Sequence, residues 1–372
     1  FVTNSQTILN SYSPWRPSAS VTESGMRITE LENSELTYEK KHEFNVGVDL
    51  GFLHNRINLA ADYYRRNNFD LIGVINTQGA GGTIAKYANI ASMRSSGIEL
   101  TLSTQNIKKK GFSWNTDFIF SKTKNEITDL KSHANVLDLI SGNGFGREGY
   151  PVRALFSIPF AGLTEDGLPT FINQDGQRTI STLNFQEYEK LGFLKYEGPT
   201  DPTITGSFGN ILTYKNFKLN VFLTYSFGNV IRLDPVFSSA YSDLDAMPKE
   251  FKNRWMKAGD ENTTNIPTIV SYRMNQQYAY LNMAYNAYNY SDVRIADGGF
   301  IRLKEISLSY DLPAKVLNFF RLNKLQFKIQ ATNLFLLYAD SKLNGQDPEF
   351  FRSGGVSTPV PRQFTFTIRL GL

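Results

Sequence analysis

The sequence predicts an all-β fold: an antiparallel transmembrane β-barrel with long loops at one end and short turns at the other. Three observations carry that expectation. Segments in which apolar and polar residues alternate with period two recur from one end of the 372-residue chain to the other. The connections switch between tight turns and long excursions, and aromatic residues gather toward the ends of the alternating segments. Successive strand side chains point to opposite faces, so each such segment is a ribbon with one oily and one wet side.

In order, Phe44, Val46, Val48, Leu50 and Phe52 oppose Asn45, Gly47, Asp49 and Gly51. Ile57, Leu59, Ala61 and Tyr63 oppose Asn58, Ala60, Asp62 and Tyr64. Ile98, Leu100 and Leu102 oppose Glu99, Thr101 and Ser103; Phe112, Trp114, Phe118 and Phe120 oppose Ser113, Asn115, Asp117 and Ser121. The segment 203–214 also reads as a strand, with its faces blurred by Gly206 and Gly209. Leu219, Val221, Leu223 and Tyr225 follow. In 300–310 the phase slips at Lys304-Glu305, and one extra residue there would restore it, which predicts a β-bulge. Leu325, Phe327, Ile329 and Ala331 make the eighth strand, and Phe364, Phe366, Ile368, Leu370 and Leu372 the ninth.

Short turns fall at 54–55, 108–111, 214–216 and 311–323. The excursions are 73–94, 130–202, 232–299 and 339–362. Loops this long are uncommon in a compact soluble domain, whereas outer-membrane barrels carry short periplasmic turns and long extracellular loops. Strand parity then keeps the apolar pieces at 152–160 and 169–172 inside the second excursion as a β-element. It also leaves the first strand without a preceding partner, so further strands are expected elsewhere, because an open edge cannot face lipid. A large secreted β-sandwich shares the alternation, and is disfavoured by the loop asymmetry. Tyr63, Trp114, Phe112, Tyr225 and Tyr310 lie where interfacial girdles lie.

Composition narrows the class. Aromatic residues make up 13% of the chain, with 28 Phe and 19 Tyr, while charged residues reach only 20% against about 25% on average. Ring-rich, charge-poor sequence does not fit a solvated coil. No run approaches the roughly 18 apolar residues of a spanning helix, and mean hydropathy is −0.31. The absence of cysteine removes disulfides and thiolate chemistry. A net charge of +4, spread out, gives no argument for nucleic acid. With Phe1 in first place and no signal peptide, the chain reads as a processed or excised part of something longer.

Several stretches resemble one family in order. Glu39-Lys40 followed by Phe44-Asn45-Val46-Gly47-Val48-Asp49 is similar to the W-E-K … F-N-I-G-L-D stretch of SusC/RagA-type TonB-dependent transporters. Ala61-Asp62-Tyr63-Tyr64, Asp70-Leu71-Ile72 and Ser96-Gly97-Ile98-Glu99-Leu100 continue it. So do Gly198-Pro199-Thr200-Asp201-Pro202, Tyr225-Ser226-Phe227-Gly228-Asn229, Asn253-Arg254-Trp255, Phe300 to Ile306, Asn333-Leu334-Phe335 and Pro361-Arg362-Gln363-Phe364. The resemblance implies that residues 1–372 are the carboxyl-terminal portion, about nine strands, of a 22-stranded barrel of a Bacteroidota-type bacterium. It implies a plug domain and TonB box outside this sequence, a capping SusD-like surface lipoprotein, energy supplied through TonB, and outer-membrane lipid around the wall. The implied activity is import of oligosaccharides or peptides. A secreted carbohydrate-binding protein and a passive porin are the alternatives. The end at Leu372 departs from the Phe common in the family.

Candidate site residues follow. Asp49, Asp62, Glu99, Asp117 and Arg369 fall on wet faces, where they are expected to face the lumen or the plug. Tyr272, Tyr278, Tyr280, Tyr285, Tyr288 and Tyr290, interspersed with Asn275, Asn282, Asn286 and Asn289, combine rigid amphipathic rings with adaptable amides, which suits recognition of sugar or protein. The other reading is a loop packing its own rings. Pro248 to Lys257 reads as a short helix carrying Phe251 and Trp255 as local core. His42, His54 and His133 lack ligand spacing, and Asn173 to Gln177 reads as a plain turn. No catalytic set has supporting context, so neither an enzyme nor a cofactor is expected.

Overall fold

The computed structural model describes residues 9–11, 26–28, 35–76, 85–141, 146–236, 248–278, 280–319, 321–351 and 360–371. One nine-stranded antiparallel sheet dominates. Its strands are β1 (Lys40–Phe52), β2 (Ile57–Asn76), β3 (Ala85–Lys109), β4 (Phe112–Leu130), β5 (Ile204–Tyr214), β6 (Phe217–Phe227), β7 (Phe300–Asp311), β8 (Lys324–Ala339) and β9 (Gln363–Gly371). Each pairs with its sequence neighbours, so the sheet is a meander with β1 and β9 at its edges. Leu9–Ser11 and Met26–Ile28 form a separate small ladder. Leu372 lies outside the described residues.

Register puts the expected faces where the alternation places them. Val48 pairs with Ala61 and Leu50 with Leu59, while Gly47 meets Asp62 on the other side. The oily side is uncovered: Phe44 is 62% exposed and Phe364 73%, with Phe366, Ile368 and Leu370 also exposed. A sandwich would bury these residues under a second sheet, and it is not the architecture seen. An apolar face open across its breadth is what a barrel wall turned to hydrocarbon presents.

Gly206 and Gly209 do not disturb β5, which keeps continuous register with both β4 and β6. Gly206 faces the oily side, where the Tyr225 ring lies over it and its hydroxyl donates to the Ile119 carbonyl at 2.8 Å. The expected bulge is present: Leu303 and Glu305 pair on either side of Lys304, which has no partner on β6 or β8. The turn 110–111 uses Gly111 at φ 84° and the turn 215–216 uses Lys215 at φ 51°, the left-handed residue such tight hairpins need.

Two expectations are corrected. The span 73–94 is not a loop excursion, because β2 continues to Asn76 and β3 begins at Ala85. Register shifts around Phe69–Leu71, with Asp70 at φ 56°, break the alternation and hide this extension in the sequence. It is held by Lys40 to Asp70 at 2.8 Å and by Asn89, which bridges Thr37 and the Asp70 carbonyl. The helix expected at 248–257 is a single 3-10 turn, Lys249–Asn253. Trp255 lies beyond it, against Gly167, and donates to Glu261 at 3.0 Å, so the tertiary partner ends the helix.

Gly206→Val is expected to cost about 1–3 kcal/mol, since its Cβ would meet the Ile119 backbone carbonyl as well as the Tyr225 ring. Gly47→Ala meets only the movable Asp62 carboxylate, and should stay within about 0.5 kcal/mol. Urea unfolding of the two variants from lipid vesicles compares them.

Candidate functional site

At the end opposite the tight turns, the described parts of 131–203, 228–299 and 340–351 fold together into an outer lobe. Ala154–Ser157 pairs with Lys195–Pro199, and Phe160–Leu163 with Pro169–Ile172. This is the β-element expected inside the second excursion. The helix Val136–Ser141 buries Val136, Leu139 and Ile140, and the helix Leu281–Asn289 buries Leu281, Ala284, Tyr285 and Tyr288 at helical spacing. These close one core with Phe156, Ile158, Leu168, Phe171 and Val236.

The Tyr-rich run therefore divides. Tyr288 is 1% exposed, and burial pushes its phenol up to about 12, against the opposing pull of Arg294. Tyr285 is buried with its hydroxyl on the Thr268 carbonyl at 2.9 Å. Tyr290 packs at the core's edge under the Arg232 guanidinium. Tyr272 and Tyr280 project outward at 80% and 70% exposure. Tyr278, donating to Asp166 at 3.4 Å, lines a groove of about 910 Å³ with Glu165, Arg178, Glu261 and Gln277.

Three buried arginines, which residue pattern alone did not single out, fasten the lobe. Arg232 donates to the Phe156 carbonyl at 2.5 Å and the Ser157 hydroxyl at 3.2 Å. Arg294 reaches the Asp234 carbonyl at 2.6 Å and Glu250 at 2.7 Å. Arg302 of β7 holds both carboxylate oxygens of Asp347. Their signal in the sequence is a lone cation between apolar neighbours, as in Ile231-Arg232-Leu233, Val293-Arg294-Ile295 and Ile301-Arg302-Leu303. A charge in such a setting is tolerated only when paired.

Glu197 is the lobe's strained acid. Its side chain is 10% exposed, and burial raises its carboxyl above the ordinary value, against the counter-pull of Lys195 at 3.6 Å and with Asp292 adding to the rise. Asn173 is used up in a turn, its side chain accepting from the backbone of Asp175 and Gln177. His42 meets the Phe69 ring edge to face, with centroids 5.3 Å apart.

On the wet face of the sheet, Asp49 lies opposite Ala60, Asp62 opposite both Gly47 and Glu99, and Asp117 opposite Ser103 and Gly209. Arg369 lies opposite Gln326 on β8, far across the sheet from these acids. Asp117 accepts from the Ser103 hydroxyl at 2.6 Å. The four acids thus step across β1 to β4 on one surface. The cross-strand pair Asp62/Glu99 puts like charges directly opposite, which costs stability in isolation.

Among relatives, TonB-dependent receptor P3 of Formosa agariphila is 25% identical over 348 residues, covering 87% of this chain and 32% of that protein. TonB-dependent receptor SusC of Bacteroides thetaiotaomicron is 27% identical over 363 residues, covering 91% of this chain and 32% of that protein. The chain is a relative of the SusC-type TonB-dependent receptors. It spans about a third of the length of the curated relatives it matches. The SusC-type fold is matched too, by the solved RagAB peptide transporter at a TM-score of 0.75 and 22% identity, over 99% of this chain and 38% of that one. No family model matches the sequence.

Arg302→Met would leave Asp347 buried and unpaired at 9% exposure, a loss of about 3–5 kcal/mol. Limited proteolysis should then cut within 340–351 while the sheet stays intact. The raised Glu197 carboxyl binds its proton more tightly folded than unfolded. Its contribution is thus full below the unfolded value and fades as pH rises through the folded one. Glu197→Gln should flatten that part of the lobe's stability–pH profile, read by hydrogen exchange across mildly acid to neutral pH.

Proposed function

We propose that this chain is the carboxyl-terminal portion of an outer-membrane barrel that imports oligosaccharides or peptides under TonB control. The observation that carries the reading is the pairing of an uncovered oily face with relatives named TonB-dependent receptors over about nine-tenths of the chain. The oily side faces lipid, the acid-bearing side faces the lumen and a plug supplied by other sequence, and the outer lobe stands outside the cell. The edges β1 and β9 join further strands, since each unsatisfied backbone group would cost several kcal/mol in hydrocarbon.

A surface lipoprotein of the SusD type caps the lobe in this reading. Tyr272 and Tyr280, rings held out in solvent, and the groove containing Tyr278 are the surfaces offered to it or to the substrate. Asp49, Asp62, Glu99, Asp117 and Arg369 act from the wall on the plug or the passing solute. RagAB is itself described as a peptide transporter, which supports peptides among the candidate solutes, and the SusC likeness is why oligosaccharides stay beside them.

Deleting the gene should abolish growth on one oligosaccharide or peptide source, and removing TonB should do the same. Uptake that survives loss of TonB would make the protein a passive porin. Tyr272→Ala with Tyr280→Ala should weaken lipoprotein capture or substrate binding about tenfold, as loss of exposed aromatic anchors does, with the barrel fold unchanged. Equal binding by the double variant would remove these rings from the contact surface.

A further inference from the structure

The tight-turn end of the sheet carries an ordered surface that the import reading does not use. On the oily face, Phe112, Tyr214, Phe217, Tyr310 and Phe327 are successive cross-strand partners, a single ring row spanning β4 to β8. The Phe217 and Tyr310 ring centroids are 4.5 Å apart. Lysines flank this row and extend past it. Lys109 pairs with Phe112 and so shares its outward face. Lys110 forms the turn beyond, and the Lys215 ammonium sits 5.3 Å from the centroid of the Tyr214 ring. The two turns touch, the Lys215 backbone N–H donating to the Gly111 carbonyl at 2.7 Å.

All three lysines are exposed, and none is ion-paired to a carboxylate among the described residues. Toward the lobe end of the sheet some cations are paired: Lys40 with Asp70 and Arg66 with Glu43 on β1 and β2, and Lys124 with Glu126 on β4. At the tight-turn end these three lysines stand together with no carboxylate partner among the described residues. A ring row at the edge of hydrocarbon with unpaired ammonium groups one step beyond it matches the layering of an anionic phospholipid, acyl chain below and phosphate above.

We propose that Lys109, Lys110 and Lys215, with Tyr214 beneath, hold the phosphate of an anionic phospholipid in the leaflet at the tight-turn end. The proposal rests on the outer-membrane reading above. Each lysine near an anionic surface adds to the attraction, and the adjacency of the two turns gathers three charges over one lipid position. The rings set the depth of the wall, so that the ammonium groups meet phosphate without leaving water.

The test uses the full-length receptor that contains this chain. It is reconstituted into nanodiscs of phosphatidylethanolamine alone or mixed equally with phosphatidylglycerol, and retained lipids are counted by native mass spectrometry. The parent protein should retain phosphatidylglycerol preferentially. K109Q/K110Q/K215Q should lower that preference about fivefold or more, while K190Q in the outer lobe leaves it unchanged. Equal retention by the triple variant, with its heat-modifiable gel shift intact, overturns the proposal. Displacement of the lipid by glycerophosphate alone would also overturn it, by making this a site for soluble phosphate. A folded receptor that enters neither membrane would instead overturn the outer-membrane reading.

Discussion

A sheet with one oily face and two free edges cannot rest in water or, unaided, in lipid. The oily face of β1 to β9 needs hydrocarbon against it, because Phe44, Phe364, Phe366 and Ile368 have no protein cover. The edges need partners, because hydrocarbon offers no hydrogen bond to an unpaired backbone group. Both demands are met together only when the sheet closes with further strands. Loop placement then follows from the meander. The connections at one end are short apart from the modest one between β7 and β8, and the longest connections all fall at the other, so the lobe gathers on a single side of the wall.

The lobe obeys different physics. It is a water-facing globule built from excursions that are distant in sequence, and its core of Phe156, Ile158, Phe171, Leu281 and Tyr288 unites them. Apolar burial is non-directional and would tolerate several arrangements. The arginines remove that freedom. Arg232 ties the second excursion to the third, and Arg302 ties the wall to Asp347 in the last one. Each guanidinium presents a fixed fork of donors that fits few partners, and each would leave a buried charge unmet if the excursions shifted. The result is a lobe with one register against the barrel rim.

How much of this was legible in the sequence depended on how local each cause is. The strand faces and the bulge at Lys304 were legible because period-two alternation is a property of neighbours. The extension of β2 and β3 was not, because a shift at Asp70 reverses the phase and the remaining pattern looks like loop. The Tyr-rich run was legible only as composition: Tyr285 and Tyr288 turn inward because they sit on the same face of a helix as Leu281 and Ala284, while Tyr272 and Tyr280 do not. The arginine ties joined residues 44 to 76 positions apart, and no local pattern marks such a pair. The resemblance to SusC-type sequences added motifs in family order to strands already read from alternation, and relatives at 25% and 27% identity bear it out.

The wall also holds an arrangement that stability alone does not account for. Asp62 and Glu99 are directly opposite each other, with Asp49 and Asp117 on the flanking strands of the same surface. Replacing either member of that pair by a neutral amide would relieve the repulsion between them. A hydrated wall of a wide barrel screens the cost but does not reverse it. In the import reading proposed above, a cation on a plug or on a passing solute would offset that cost. In the reading proposed above, the acidic surface serves the pore and the lysines at the far rim serve the surrounding membrane.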